Sequence, residues 1–202
     1  GMMNAAIVDV MHKTGHTLPE AHHDEELMAE LSYDVHKYTG FENFGIPFCM
    51  TVEAEVLGSE INFGTLSSEP KIQKEAFDSA ASIDCKDIKT ILKSGRIGTV
   101  VQACYRLSKS FPDVPVIGNL TGPISTAASI VDPMTFLKEL RKDKVNAHRV
   151  IDYVTDFLIE YAKLMIDNGA TVISVGDPTA TGEILGPKMF EEYAVRYLNK
   201  LI

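Results

Sequence analysis

The sequence is poor in the features that most quickly place a protein of this size. Its three cysteines, Cys49, Cys85 and Cys104, are widely spaced and form no C-x-x-C pair. That excludes a disulfide framework and points to a reducing, cytoplasmic setting. No apolar run approaches the roughly 20 residues a bilayer-spanning helix needs, and no signal-peptide pattern is read at the N terminus. Positive charge is scarce: 19 Lys and Arg stand against 28 Asp and Glu, a net charge of −9. This balance argues against nucleic acid or an anionic membrane as a partner. The densest basic stretch, Lys138, Arg141, Lys142 and Lys144, reads as a solvated helix face. Tryptophan is absent, which decides nothing. Also absent are a G-x-G-x-x-G loop, a Walker loop, a G-x-S-x-G elbow, H-E-x-x-H and H-x-C.

What is present is a set of helical patterns separated by short apolar runs. Leu27, Leu31, Val35 and Tyr38 follow the helical period from Asp24 to a stop at Gly40. An earlier helix is read from Ala6, Ile7, Val10 and Met11, closed by Thr14 and Gly15. Further helices are expected at Ile88 to Leu92, at Gly98 to Lys109 and at about Val145 to Asn168, the last with Val150, Val154, Phe157, Tyr161 and Met165 on one stripe and Gly169 as its cap. Another starts at Gly186-Pro187. Three runs read as parallel strands: Ile46 to Val52, Val114 to Asn119, and Thr171 to Val175 followed by Gly176, Asp177 and Pro178. Residues 59 to 75 read as a hairpin or excursion outside them. Strands alternating with helices imply βα units, here in one α/β domain over residues 1–202 with three parallel strands. So small a sheet leaves open edges, which predicts self-association.

Candidate chemistry gathers after the strands. The last run, from Thr171, reads as a buried strand, and Asp177 follows five of its buried positions, so its carboxylate must be hydrogen-bonded, paired or in a cavity. It reads either as a pocket residue or as a cap to the turn Thr179 to Thr181. Asn119 and Thr121 follow the middle strand, and the turn from Gly118 to Ser125 offers either an anion cradle or a helix start capped by Thr121 or Ser125. Cys49 reads as a pocket-lining thiol or a small buried hydrophobe; Cys104 reads as core. Glu53 and Glu55, two apart on a helical turn, do not form an acid/base pair. His22 and His23 point apart, and Gly15 separates His12 from His16, so no metal ligand is assigned.

Several segments resemble the uroporphyrinogen decarboxylase superfamily, and within it the methylcobamide:coenzyme M methyltransferases. They are Pro19 to His22, Ile46 to Val52, Val56 to Thr65, Val114 to Gly118, Thr121 to Pro123, and Asp167 to Ile173 with Asp177-Pro178. The resemblance spans essentially the whole chain but only a little over half of a family member. It implies a partial (β/α)8 TIM-type barrel carrying family strands two to four. At the carboxyl ends of such strands lies the chemistry of these barrels. The decarboxylases' catalytic aspartate, tyrosine and serine fall at Cys49, near Ser129 and at Pro178, so the resemblance favours the methyltransferase branch over uroporphyrinogen decarboxylase.

That branch implies zinc-dependent methyl transfer from a methylated corrinoid, methylcobalamin, to coenzyme M, with a corrinoid protein as partner. The branch's zinc ligands match no position here. The expectation is thus a methyltransferase-like chain, inactive alone, binding no cofactor stably, with Asp177, Asn119, Thr121 and Cys49 as substrate-pocket residues. Its rivals are a non-catalytic remnant or docking and oligomerising module, and half of an enzyme completed in trans.

Overall fold

The structure is a computed structural model and describes residues 7–202. Ala6, read above as part of the first helix, lies outside them. Helix α1, Val8–Thr14, ends where Gly15 takes a left-handed φ of 82°, so His12 and His16 do not share a face. After a 3-10 turn at Glu20–His22 comes α2, Glu25–Thr39. The Asp24 carboxylate caps it by accepting from the N–H groups of Glu26 and Leu27, which satisfies two otherwise orphaned donors.

Strand β1 is Phe44–Ile46 and stops there because Pro47 has no N–H to continue a ladder. The strand expected over Ile46 to Val52 is therefore displaced: Cys49 lies in the irregular stretch after β1, and Thr51 precedes the short helix α3, Val52–Val56. Strands β2, Glu60–Asn62, and β3, Lys71–Lys74, pair antiparallel as the excursion foreseen from the sequence. Helices α4, Ile88–Ile91, and α5, Ile97–Ser110, follow, the latter burying Val100, Val101, Cys104 and Leu107.

Strand β4, Val116–Thr121, starts and ends two residues later than expected, since Pro115 occupies the position before it. Asn119 and Thr121 accordingly stand within the strand. Helices α6, Pro123–Ile130, α7, Pro133–Lys142, and α8, Lys144–Asp167, lead to β5, Val172–Gly176. Helix α8 buries the apolar stripe read from the sequence, including Tyr161 and Met165. Lys138, Arg141 and Lys142 lie on α7, and Lys144 pairs with Glu192. Helix α9, Gly182–Met189, begins four residues before the expected start, capped by Thr181, and kinks at Gly186. A π-helical turn, Phe190–Val195, and α10, Arg196–Leu201, follow.

The main sheet is parallel, in the order β1-β4-β5. Gly45 pairs with Ile117, which in turn pairs with Val172, and Thr121 pairs with Gly176. This is an α/β fold with three parallel strands flanked by helices. The two edges differ. β1 is buried throughout beneath α2 and α5. β5 pairs only with β4, and Val172 is 47% exposed. The expectation that this last strand is buried is thus corrected: α8 covers it, but its far edge has no neighbour among the described residues. One apolar cluster runs from Val10 to Tyr197 through the helices and the sheet.

Candidate functional site

A parallel sheet brings the carboxyl ends of its strands to one side, and several of the chain's buried polar residues, Thr51, Glu53, Arg96, Asn119 and Thr121, collect there. The Asn119 amide nitrogen donates to the Pro47 carbonyl at 3.3 Å, tying β4 to the chain leaving β1. Two residues on, the Cys49 sulfur accepts from the Thr51 hydroxyl at 3.4 Å and from Arg96 Nη1 at 3.3 Å. Arg96 also donates through Nη2 to the Thr51 hydroxyl at 3.0 Å and through Nε to Glu55. Its guanidinium is buried and lies over the Phe63 ring, 4.9 Å from the centroid. Burial opposes its charge, but the neighbouring Cys49 and Glu55 outweigh burial and hold the Arg96 pKa above its usual value.

Glu53 is the most deeply placed carboxylate of this group. It extends from α3 to the end of β4, where Oε1 accepts from the Thr121 N–H at 2.8 Å and Oε2 from the Thr121 hydroxyl at 3.0 Å. β1 has already ended at that level, so Glu53 satisfies a strand donor that β1 leaves unpaired. Desolvation pushes its pKa up to about 7, against the two Thr121 hydrogen bonds, which act in the opposite direction.

Asp177 follows β5 and turns its carboxylate onto the first turn of α6, accepting from the N–H groups of Ile124 at 3.1 Å and Ser125 at 2.7 Å. The anion cradle read from the Gly118-to-Ser125 turn is real in geometry, and the anion in it is the chain's own. Capping by Thr121 or Ser125 is corrected: neither caps α6, and Ser125 Oγ instead accepts from Thr179 N–H. Nor does the Asp177 side chain cap its own turn, which is closed by a bond from Ala180 N–H to the Asp177 carbonyl. Gly122 sits under this carboxylate so closely that a Cβ would lie 2.5 Å from the Asp177 Cβ. Burial raises the Asp177 pKa despite the hydrogen bonds from Ser125 and Ile124.

His22 is fully buried, and neither ring nitrogen has a hydrogen-bond partner among the described residues. Desolvation, reinforced by the Arg96 charge, lowers its pKa to about 4, so the ring is neutral at physiological pH. Among the described residues, two more buried polar atoms are unpartnered, Asn119 Oδ1 and the Tyr161 hydroxyl. Desolvation raises the Tyr161 pKa well above its usual value, and the Glu53 carboxylate acts in the same direction.

Of the residues singled out from sequence, Cys49, Asn119 and Thr121 share this cluster, while Asp177 stands at the next strand end and is engaged with α6. Cys104 is core, its thiol pushed up to about 12 by burial. Glu53 and Glu55 point to different partners, as their spacing requires. Two central residues were missed. Glu53 had a signal, a carboxylate between the apolar Val52 and Ala54 just after a strand. Arg96 had none, since its partners lie more than 40 residues earlier. Among the described residues, no three His, Cys, Asp or Glu side chains converge as a metal site requires, and no helix is long and apolar enough to cross a membrane.

Comparison with known proteins adds the following. The uroporphyrinogen decarboxylase (URO-D) family model matches residues 1–202. The methylcobamide:CoM methyltransferase MtbA of Methanosarcina mazei is 37% identical over 196 residues, covering 96% of this chain and 57% of that protein. The methylcobamide:CoM methyltransferase MtaA of Methanosarcina barkeri is 32% identical over the same coverage. A solved structure of a methyltransferase from Methanosarcina mazei superimposes with a TM-score of 0.92 at 32% identity, covering 97% of this chain and 58% of its own. The chain thus spans a little under three-fifths of the length of these relatives.

Proposed function

The chain belongs to the uroporphyrinogen decarboxylase family, and on that premise we propose that it carries the strand-end substrate pocket of a methyltransferase acting between a methylated corrinoid and coenzyme M. The observation that carries this reading is the coincidence of two facts: identity of 37% to a methylcobamide:CoM methyltransferase over nearly the whole chain, and the gathering of the buried polar residues Thr51, Glu53, Arg96, Asn119 and Thr121 at the carboxyl ends of β1 and β4. Cys49, Asn119 and Thr121 are the proposed pocket residues. Asp177 is proposed to position them by locking the end of β5 to α6.

Zinc, implied by the resemblance, does not fit these residues. Cys49 is engaged by Arg96, Glu53 by Thr121, and among the described residues no three His, Cys, Asp or Glu side chains converge around either. Their polar groups are therefore assigned to binding and positioning, and no metal-dependent step is routed through them. The 202 residues alone are proposed to be inactive, with metal ligands supplied by sequence outside them. Decarboxylation of a porphyrinogen is disfavoured by Cys49, Ser129 and Pro178 at the positions matched to that branch's acidic and hydroxyl groups. The test is methyl transfer from methylcobalamin to coenzyme M, with and without the missing part of a relative.

A second reading has its own support. The open edge of β5, with Val172 exposed, suits a module that associates with a second copy or with the segment that completes it in trans. Edge strands readily recruit further strands. Mass measured by light scattering across a concentration series tests this reading.

A further inference from the structure

Helix α7 carries two apolar stripes where a surface helix needs one. Phe136 and Leu140 are buried in the core. Met134 and Leu137 lie on another face, and Lys138, Arg141 and Lys142 continue that face at helical spacing. Met134 is 62% exposed, and Ile184 of α9, which lines the same hollow, is 46% exposed. Between α7, the start of α8 and α9 runs an open groove made of two hollows. One, of about 600 Å³, has Leu140, Leu185 and Pro187 in its wall. The other, of about 290 Å³, has Met134, Leu137 and Ile184. Arg141 and Met189 line both, with Arg141 Nε donating to the Met189 sulfur at 3.4 Å, and form the ridge the hollows share.

The charge of this groove is one-sided. Lys138, Arg141, Lys142, Lys144 and Lys188 line it, and only Lys144 has an ion-pair partner among the described residues, Glu192. Glu192 is also the one carboxylate in the lining among the described residues. Neighbouring acids are engaged elsewhere: Glu139 accepts from the Ala80 N–H at 2.9 Å, and Asp143 caps α8 by accepting from Asn146. In a chain of net charge −9 this is a local reversal of sign.

We propose that this groove seats an acidic amphipathic helix of a partner protein. Two apolar hollows on either side of a ridge suit apolar side chains one or two helical turns apart, and the cations along α7 and at Lys188 suit carboxylates on the flanks of that helix. The ten residues of α7 run about 15 Å, enough to support about three turns of an occupant. Met134 and Met189 give the walls the adaptable surface that helix-binding grooves use. A bilayer fits poorly: it offers a plane to a concave lining, and the net negative charge of the chain repels an anionic one. The groove also lies at the end of the sheet where the polar cluster collects. Helix α9 follows β5 after a short turn, and α8, starting at Lys144, runs back to the beginning of β5. A helix seated there meets the chain beside the strand ends. Neither corrinoid nor zinc enters the argument, so this inference stands or falls separately from the methyl-transfer reading.

The probe is a fluorescein-labelled peptide of roughly 15 residues, with leucines at helical spacing and glutamates on both flanks. One control has the same composition with its leucines out of helical register; the other keeps the leucines and carries lysine for every glutamate. Fluorescence anisotropy at near-physiological salt is expected to show saturable binding of the probe and at least roughly tenfold weaker binding of each control. Arg141→Glu combined with Lys188→Glu is expected to weaken the probe at least roughly tenfold, and Met134→Ser to weaken it as well. All three positions are exposed, and circular dichroism checks the fold of each variant. No binding of the probe, equal binding of the out-of-register control, or undiminished binding by the double variant overturns the inference. Two further outcomes also overturn it. Probe binding lost on adding the part of the Methanosarcina mazei MtbA protein that the chain does not span would make the chain's own continuation the occupant. Self-association abolished by the double variant would make the occupant a second copy.

Discussion

Glu53 and Thr121 are joined by two hydrogen bonds across 68 residues of sequence, one to the backbone N–H and one to the hydroxyl. This contact fixes α3 over the end of β4, where β1 no longer offers an acceptor. It also places a carboxylate whose pKa is raised to about 7 at the centre of the proposed pocket.

Opposed pH dependences follow from Glu53 and His22. The folded chain holds the Glu53 proton up to about pH 7, against an unperturbed 4.5, so the contribution of Glu53 to stability falls as pH rises from about 4.5 to 7. His22 is shifted from 6.5 to about 4. There the unfolded chain binds the extra proton, and the contribution of His22 rises from about pH 4 to 6.5. Each effect is on the order of 3 kcal/mol, and they offset one another where the windows overlap. Denaturant unfolding across this range should therefore give a weak slope for the wild type from these two groups. Glu53→Gln should unmask stability that rises with pH, and His22→Leu stability that falls with pH. Identical slopes in all three proteins would contradict the assignment.

Gly122 and Asp177 should behave as a pair. Gly122→Ala drives a Cβ into the Asp177 side chain and should cost about 1–3 kcal/mol, the range for overpacking. Asp177→Gly removes the cap of α6 and should cost about 1 kcal/mol. In the double variant Gly122→Ala with Asp177→Gly, the Asp177 Cβ and carboxylate that the new methyl group meets are all gone, so the loss should be smaller than the sum. Additive losses in urea unfolding would show that the two residues do not meet.

These residues also mark how far the sequence could be read. The helical stripe Val150 to Met165 and the stop at Gly40 were legible because periodicity and capping are local. The strand ends were not. Pro47 and Pro115 lie inside apolar runs whose composition alone looks continuous, and both strands moved relative to them. Of the proposed pocket, Asn119 and Thr121 were singled out by their position at the end of an apolar run and Cys49 by its position within one. Glu53, Arg96 and His22 acquire their roles from partners or burial that only the folded chain supplies. The role of Asp177 changed for the same reason, since its partner is the start of α6, more than 50 residues earlier.

The open edge of β5 predicts association. Light scattering should show mass rising with concentration, and Val172→Lys, which places a charge on the exposed edge, should keep the chain monomeric. A wild-type chain that stays monomeric at the highest concentration reached would contradict the association reading.

The most direct test of the functional account is zinc-supplemented methyl transfer from methylcobalamin to coenzyme M, measured for the 202-residue chain alone and after mixing with the part of the Methanosarcina mazei MtbA protein that it does not span. The account predicts no turnover above free zinc for the chain alone and turnover on mixing, reduced when Asn119 is replaced by Leu. Turnover by the chain alone would contradict it, because these residues would then hold the metal themselves.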